Sequence, residues 1–173
     1  MPEGPARNRV FICLGSNIDA ETNLPAAVRL LGRYGTVTAA STVYETLPVG
    51  FAEQPNFLNA AVLLETDRSP GEVFDEVVPA VERALGRTRD PANPNGPRTI
   101  DLDVALFNDL VTRADRHELP DPDVTRHAFV AVPLAELDPG YVHPVTGETL
   151  ASIAAGIAVA EGDMRPRRDV RLL

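Results

Sequence analysis

Residues 96–103 read Gly96-Pro97-Arg98-Thr99-Ile100-Asp101-Leu102-Asp103 and run on into the apolar Val104-Ala105-Leu106-Phe107. Side chains alternate along a strand, so Ile100, Leu102 and Val104 are expected to face a core while Asp101 and Asp103 emerge together on the opposite face. Their carboxylates then lie roughly 6 to 7 Å apart. Like charges that close raise each other's pKa unless a cation sits between them or one takes a proton. A hard divalent cation such as magnesium suits the pair, because it takes a few carboxylate oxygens and fills its remaining positions with water and phosphate. With Arg98 directly before it, the strand reads as a phosphate-handling element. The bland alternative is an edge strand with an acidic solvent face, since Asp-x-Asp is short and common.

Working outward, Ser69-Pro70-Gly71-Glu72 supplies a cap, an early proline and an acidic first turn, and predicts a helix running to about Leu85. Pro79 inside it is expected to kink or split it, and Gly86 to end it. A loop over 87–97 follows, restrained by Pro91, Pro94 and Pro97. Upstream, Val10 to Leu14 reads as a buried strand closed by Gly15-Ser16-Asn17, and Asn23 as the cap of a helix carrying Leu24, Ala27, Val28 and Leu31. Residues 36–45 are β-branched and alternating, a second strand; 46–56 is a loop; Phe57 to Leu64 is a third strand, antiparallel to the second. Downstream lie the turn residues Pro120-Asp121-Pro122-Asp123, an apolar segment from Ala128 to Leu137 and a short helix near Leu150 to Ala160. The order β-α-β-β-α-β predicts an α+β fold, a ferredoxin-like two-layer sandwich of antiparallel sheet and helices with C-terminal additions. One domain is expected over 9–160, with 1–8 and the Arg-rich 161–173 as mobile tails.

The 173 residues suffice for a substantial core, and an apolar share of 44% is ordinary for a globular chain. A net charge of -9 argues against general affinity for nucleic acid or anionic membrane, so any phosphate site must be a local basic pocket. All sixteen basic residues are Arg. Lysine-dependent phosphate loops and Schiff-base chemistry are thereby excluded, and phosphate recognition falls to guanidinium forks. The single Cys13 allows no internal disulfide, and no signal-peptide core or membrane-length apolar run is present, so a soluble, cytoplasmic, monomeric protein is expected.

Near the paired aspartates stand Arg87, Arg89 and Arg98. Together they make a polyphosphate clamp, with cations on one side and guanidinium groups on the other. Alternatively, Arg83, Arg87 and Arg89 are a solvated helix end favoured by the dipole. The blocks LGSN at 14–17, YETLPVG at 44–50, QPNFLNAAV at 54–62, LGRTR at 85–89 and PRTIDLDV at 97–104, followed by FVAVPLAEL at 129–137 and His143-Pro144, resemble the 6-hydroxymethyl-7,8-dihydropterin pyrophosphokinases of folate biosynthesis.

The resemblance implies transfer of pyrophosphate from ATP to the pterin hydroxymethyl group, giving AMP and the pterin diphosphate. It implies that Asp101 and Asp103 hold two magnesium ions, that Arg87 and Arg98 stabilise the transferring group, and that Glu82, Arg89, Thr99, Ile100 and Asp121 contact the nucleotide. Thr46, Pro48 and Val49 would meet the pterin edge, with Phe57, Asn59 and Phe129 completing the acceptor pocket. Phe57 and Asn59 share a strand face, an aromatic plate beside a carboxamide that suits a flat donor-acceptor ring. Core packing is the alternative for the aromatics.

The chain departs from the family pattern on the nucleotide side. Asp121 stands where Pro-His is usual, His127 where an Arg is expected, Asn95 for an aromatic and Pro79 for a Gln. A normal enzyme is expected; the alternatives are a retuned or silent pterin-binding relative and, from the Asp-x-Asp alone, a magnesium-dependent sugar transferase.

Overall fold

The computed structural model describes residues 7–48, 52–114 and 117–173. Strand β1 (Asn8–Ser16) is apolar on both faces and lies inside the sheet. Val10, Ile12 and Leu14 enter one core cluster, while Phe11 enters a second on the opposite side. Strand β4 (Phe57–Thr66) pairs antiparallel with the whole of β1, from Asn8 opposite Thr66 to Ser16 opposite Leu58. On the other flank β5 (Asp101–Phe107) pairs antiparallel with β1, Gly15 opposite Asp101 and Cys13 opposite Asp103. A register shift between Phe11 and Ile12 lets Ala105 and Leu106 both join the second cluster.

The first cluster is roofed by α1 (Ala20–Leu31), which buries Leu24, Ala27, Val28 and Leu31 at helical spacing, and by a helical rod starting at Ser69. The capping box expected at Ser69 is present: Ser69 Oγ accepts from Glu72 N–H, and Glu72 Oε1 accepts from Ser69 N–H, both at 3.2 Å. The rod is α2 (Pro70–Glu72), a π-helical turn (Val73–Val77) and α3 (Val78–Ala84). Pro79 follows the wide turn at once. Its ring would crowd the carbonyl four residues back and it has no N–H to donate, so the helix widens there instead of breaking.

On the opposite face α4 (Ala128–Leu137) and α5 (Leu150–Gly156) cover the second cluster through Val130, Ala131, Leu134, Leu150 and Ile153. The fold is thus the ferredoxin-like α+β sandwich, with the C-terminal additions covering the sheet's second face. Between these two helices the buried His143 Nδ1 accepts the N–H groups of Val145 and Thr146, each at 3.2 Å.

Several elements differ from expectation. Helix α1 starts at Ala20 after Asp19, not at Asn23; Asn23 instead turns its amide onto the Ile18 carbonyl at 2.6 Å. The single strand expected over 36–45 is two, β2 (Thr36–Ala40) and β3 (Tyr44–Thr46), both paired with β4. Between them Ser41 Oγ accepts the Ala61 N–H, so a side chain replaces one rung of the ladder. A hairpin of β6 (Thr112–Ala114) and β7 (His117–Leu119) was not expected. Neither tail boundary holds: Asn8 pairs within the sheet, and Met164–Pro166 forms β8 against β3, giving the order β5-β1-β4-β3-β8. Val170 beyond it is buried in the first cluster. The last helix ends at Gly156, short of Ala160.

Candidate active site

Asp101, Gly15 and Asn59 stand opposite one another across β5, β1 and β4, and Asp103, Cys13 and Ala61 form the next row. Residues directly opposite share a face, so carboxylates, bare backbone and carboxamide meet on one floor. Gly15 matters sterically: a Cβ there would sit 3.1 Å from Asn59 Oδ1. Above the floor a small cavity of about 70 Å³ is walled by Asn59, Asp101, Asp103, Asp121, Asp123 and Phe129. Asn59 donates to Thr46 Oγ1 at 2.6 Å. Phe129 stacks on His127, centroids 4.9 Å apart. Phe57 lies beside Gly15, with the Arg98 guanidinium 5.5 Å over its ring. Pro48, two residues beyond Thr46, is half-buried, and Val49 falls outside the described residues.

On the free side of β5 a larger cavity of about 760 Å³ opens against the helical rod and is lined by Glu82, Arg87, Arg89, Asp101 and Asp103 among others. Gly86, at φ 72, turns the chain off α3 and returns Arg87 N–H to the Glu82 carbonyl at 3.0 Å. Arg87 Nη1 then lies between Glu82 Oε2 at 2.8 Å and Asp101 Oδ1 at 2.7 Å. Arg98 Nη1 reaches Asp101 Oδ2 at 3.1 Å, and its other guanidinium nitrogens donate to Gly96 and Pro94 carbonyls. Arg89, three-quarters exposed, touches Glu82 at 3.4 Å. Two buried polar atoms near this wall have no partner among the described residues, Arg87 Nε and Thr99 Oγ1.

The electrostatics follow from crowding. Burial would lower the Arg87 pKa, but Asp101 and Glu82 more than offset it and hold the guanidinium above its ordinary value. Burial raises Glu82, only partly countered by Arg87. Asp103 is reached by solvent, yet the groove walls displace much of the water around its carboxylate. That lost hydration, with Asp101, Asp121 and Glu82 nearby, pushes it up to about 7. Burial also raises Asp121, against the Asp123 N–H that its side chain accepts at 2.9 Å. The Cys13 thiol is pushed up by burial and by Asp103, which leaves it a neutral wall rather than a nucleophile. No group of three metal-ligating side chains exists among the described residues. Asp101 and Asp103 offer an all-oxygen pair suited to a hard cation that takes its other ligands from water and phosphate.

Of the residues singled out in the sequence, Glu82, Arg87, Arg89, Asp101 and Asp103 come together on the wall of the larger cavity with Arg98 bonded to Asp101 beside them, and Asn59, Phe129 and Asp121 around the smaller one. Ile100 is the exception: its side chain is fully buried in the first core cluster, so only its backbone can face a ligand. Glu82, expected at the nucleotide, is occupied in holding the two arginines. The sequence reading missed Asn17. Its amide donates to Gln54 at 2.8 Å and the Pro55 carbonyl at 3.1 Å, while its Oδ1 accepts the Arg98 N–H at 2.9 Å. It missed also the rim of the larger cavity, where Phe74 stacks on His117 at 4.5 Å and Asp75 bonds the same imidazole at 2.9 Å.

A sequence model of the 7,8-dihydro-6-hydroxymethylpterin-pyrophosphokinase (HPPK) family matches residues 11–139, spanning both cavities. The chain belongs to this family. A 2-amino-4-hydroxy-6-hydroxymethyldihydropteridine pyrophosphokinase of Bacillus subtilis is 44% identical over 133 residues, covering 75% of this chain and 78% of that one. One from Methylorubrum extorquens is 40% identical over 150 residues, 85% and 92% of the two chains. Among solved structures, the Plasmodium falciparum HPPK-DHPS crystallised with pterin and p-hydroxybenzoate has the same fold at TM-score 0.67 and 15% identity, over 90% of this chain and 42% of that one. The present HPPK-family chain thus spans under half the length of that solved chain.

Proposed function

We propose that this chain transfers pyrophosphate from ATP to the hydroxymethyl oxygen of 6-hydroxymethyl-7,8-dihydropterin, releasing AMP and the pterin diphosphate in folate biosynthesis. One observation carries the reading within the family: Asp101, in one row with Gly15 and Asn59, lines both the arginine-walled cavity at the free edge of β5 and the smaller pocket over the Asn59 carboxamide. The hydroxymethyl oxygen bonds to the β-phosphorus, the bridge to the α-phosphate breaks, and the hydroxyl proton leaves to solvent. Two magnesium ions held by Asp101 and Asp103 would supply neutralisation of the polyphosphate charge and a template for in-line geometry.

The chain's own residues do the rest. Arg87 and Arg98 stabilise negative charge on the group in transfer, Arg89 assists from the open side, and Glu82 keeps Arg87 in place. Thr99 and the Ile100 backbone meet the nucleotide. Asn59, with Thr46, Pro48 and Val49, reads the pterin edge while Phe57 and Phe129 flank its ring. Asp121 closes the acidic end of the pocket. The loop 87–97 closes over the substrates and excludes water. The same reading takes the chain as a cytoplasmic monomer acting on small molecules; among the described residues no helix is long and apolar enough to cross a membrane. No observation favours the lost-transfer alternative, and family membership leaves the sugar transferase without support.

A single incubation with ATP, magnesium and hydroxymethyl-dihydropterin tests it. AMP must appear in step with a diphosphorylated pterin; ADP or free phosphate in its place overturns the reading.

A further inference from the structure

The C-terminal segment lies beyond residue 139, where the family match ends, yet it is built into the acceptor side of the site. Strand β3 has only three residues and one strand neighbour within the family region, β4; besides that ladder, the Tyr44 hydroxyl donates to Glu136 of α4 at 2.9 Å. So short a strand on one ladder is weakly held in register. Strand β8 supplies the second ladder, with Thr46 opposite both Phe57 and Met164, and Tyr44 opposite both Asn59 and Pro166. Arg167 then ties the segment down. Its backbone N–H donates to the Val43 carbonyl at 2.7 Å, Nη1 donates to Glu45 at 3.0 Å and Nη2 to Glu21 of α1 at 3.3 Å. Asp169 orients the same guanidinium, Arg165 also pairs with Glu45, and Val170 is buried in the core. The element held this way carries Thr46, the hydroxyl to which Asn59 donates.

We infer that residues 164–170 are a brace that fixes β3 and thereby presets the Thr46–Asn59 edge, making Arg167 a positioning residue for the acceptor substrate and not for the nucleotide. Its substrate half rests on the pterin reading above. Its mechanical half does not.

The full chain is compared with Arg167→Ala, Arg167→Lys, Glu45→Gln and, as a control on the same tail, Arg171→Ala. Hydrogen exchange of the Tyr44 to Thr46 amides in ligand-free protein reads the brace directly. Arg167→Ala and Glu45→Gln speed it, Arg167→Lys restores part of the protection, and Arg171→Ala leaves it unchanged. In steady state, Arg167→Ala raises the pterin KM about tenfold, the loss expected when one hydrogen bond at the acceptor edge is mispositioned. The ATP KM and kcat stay within about twofold. Should Arg167→Ala fail to fold, Glu45→Gln carries both readouts. Unchanged exchange, or a KM increase shared equally by the two substrates, overturns the inference. A wild-type chain that neither binds nor converts the pterin overturns the functional reading instead, and exchange alone then decides the brace.

Discussion

Replacing Arg87 by Ala isolates what the buried ion cluster contributes. The Arg87 and Glu82 side chains are 9% and 8% exposed, and the guanidinium also holds Asp101 at 2.7 Å. Removing one partner of a buried pair costs about 3 to 5 kcal/mol, because the other charge is left uncompensated. Here Asp101 keeps Arg98 and Glu82 keeps a long contact to Arg89, so the lower end applies, about 3 kcal/mol. For a chain of this size that lowers Tm by about 6 to 12 °C. Arg87→Ala with Glu82→Gln removes the stranded charge and should recover about 1 to 2 kcal/mol of the loss. Urea unfolding without ligands measures all three proteins. The sign of the pH dependence is fixed too. Burial already raises Glu82, and losing Arg87 raises it further. An acid whose folded pKa exceeds its unfolded value contributes stability below the unfolded pKa and loses it as pH rises through the folded one. The deficit of Arg87→Ala therefore shrinks as pH falls toward the ordinary carboxylate range. A single variant costing under about 1 kcal/mol, as an exposed pair would, or a double variant no better than the single, refutes the reasoning.

Asp101→Asn and Asp103→Asn should each cut turnover by about a thousandfold or more. Magnesium with a non-hydrolysable ATP analogue should raise the wild-type Tm and leave that of Asp103→Asn unmoved, as read by differential scanning fluorimetry. Asn59→Ala should weaken pterin binding about tenfold while sparing the ATP KM, because a ring edge loses its amide partner; equal loss for both substrates would take Asn59 out of the acceptor pocket. His143 is held neutral, its pKa lowered from the ordinary 6.5 chiefly by burial. Stability from this group is full above 6.5 and lost as pH falls, so His143→Gln should flatten the acid limb of a stability profile just below that pH.

Legibility tracked distance along the chain. The alternation from Ile100 to Val104 and the Ser69 to Glu72 box depend on neighbours a few residues apart, and both could be read directly. The start of α1 was misplaced because Asn23 satisfies the local preferences of a cap, while its amide is committed to Ile18 in the folded chain. Strand β8 has no periodicity of its own; three residues become a strand only because β3 offers an edge. Glu82 was placed by resemblance at the nucleotide, and nothing in its local sequence says that its carboxylate serves Arg87. The Phe74–His117 stack joins two elements whose meeting depends on the hairpin, and no short-range pattern marks it.

The two arginine contacts of Asp101 bear on how the proposed site fills. Asp101 pairs with the Arg87 and Arg98 guanidinium groups, the same groups that the proposed reaction assigns to phosphate. On the proposed reading, loading is a change of partners: Asp101 would release its arginines to take a cation, and they would find phosphate oxygens in exchange. A bare ion or an unchelated triphosphate offers only half of that trade and leaves one set of charges stranded. A nucleotide arriving with its cation already attached supplies both replacements in one event, so the latch favours the chelate over either component alone.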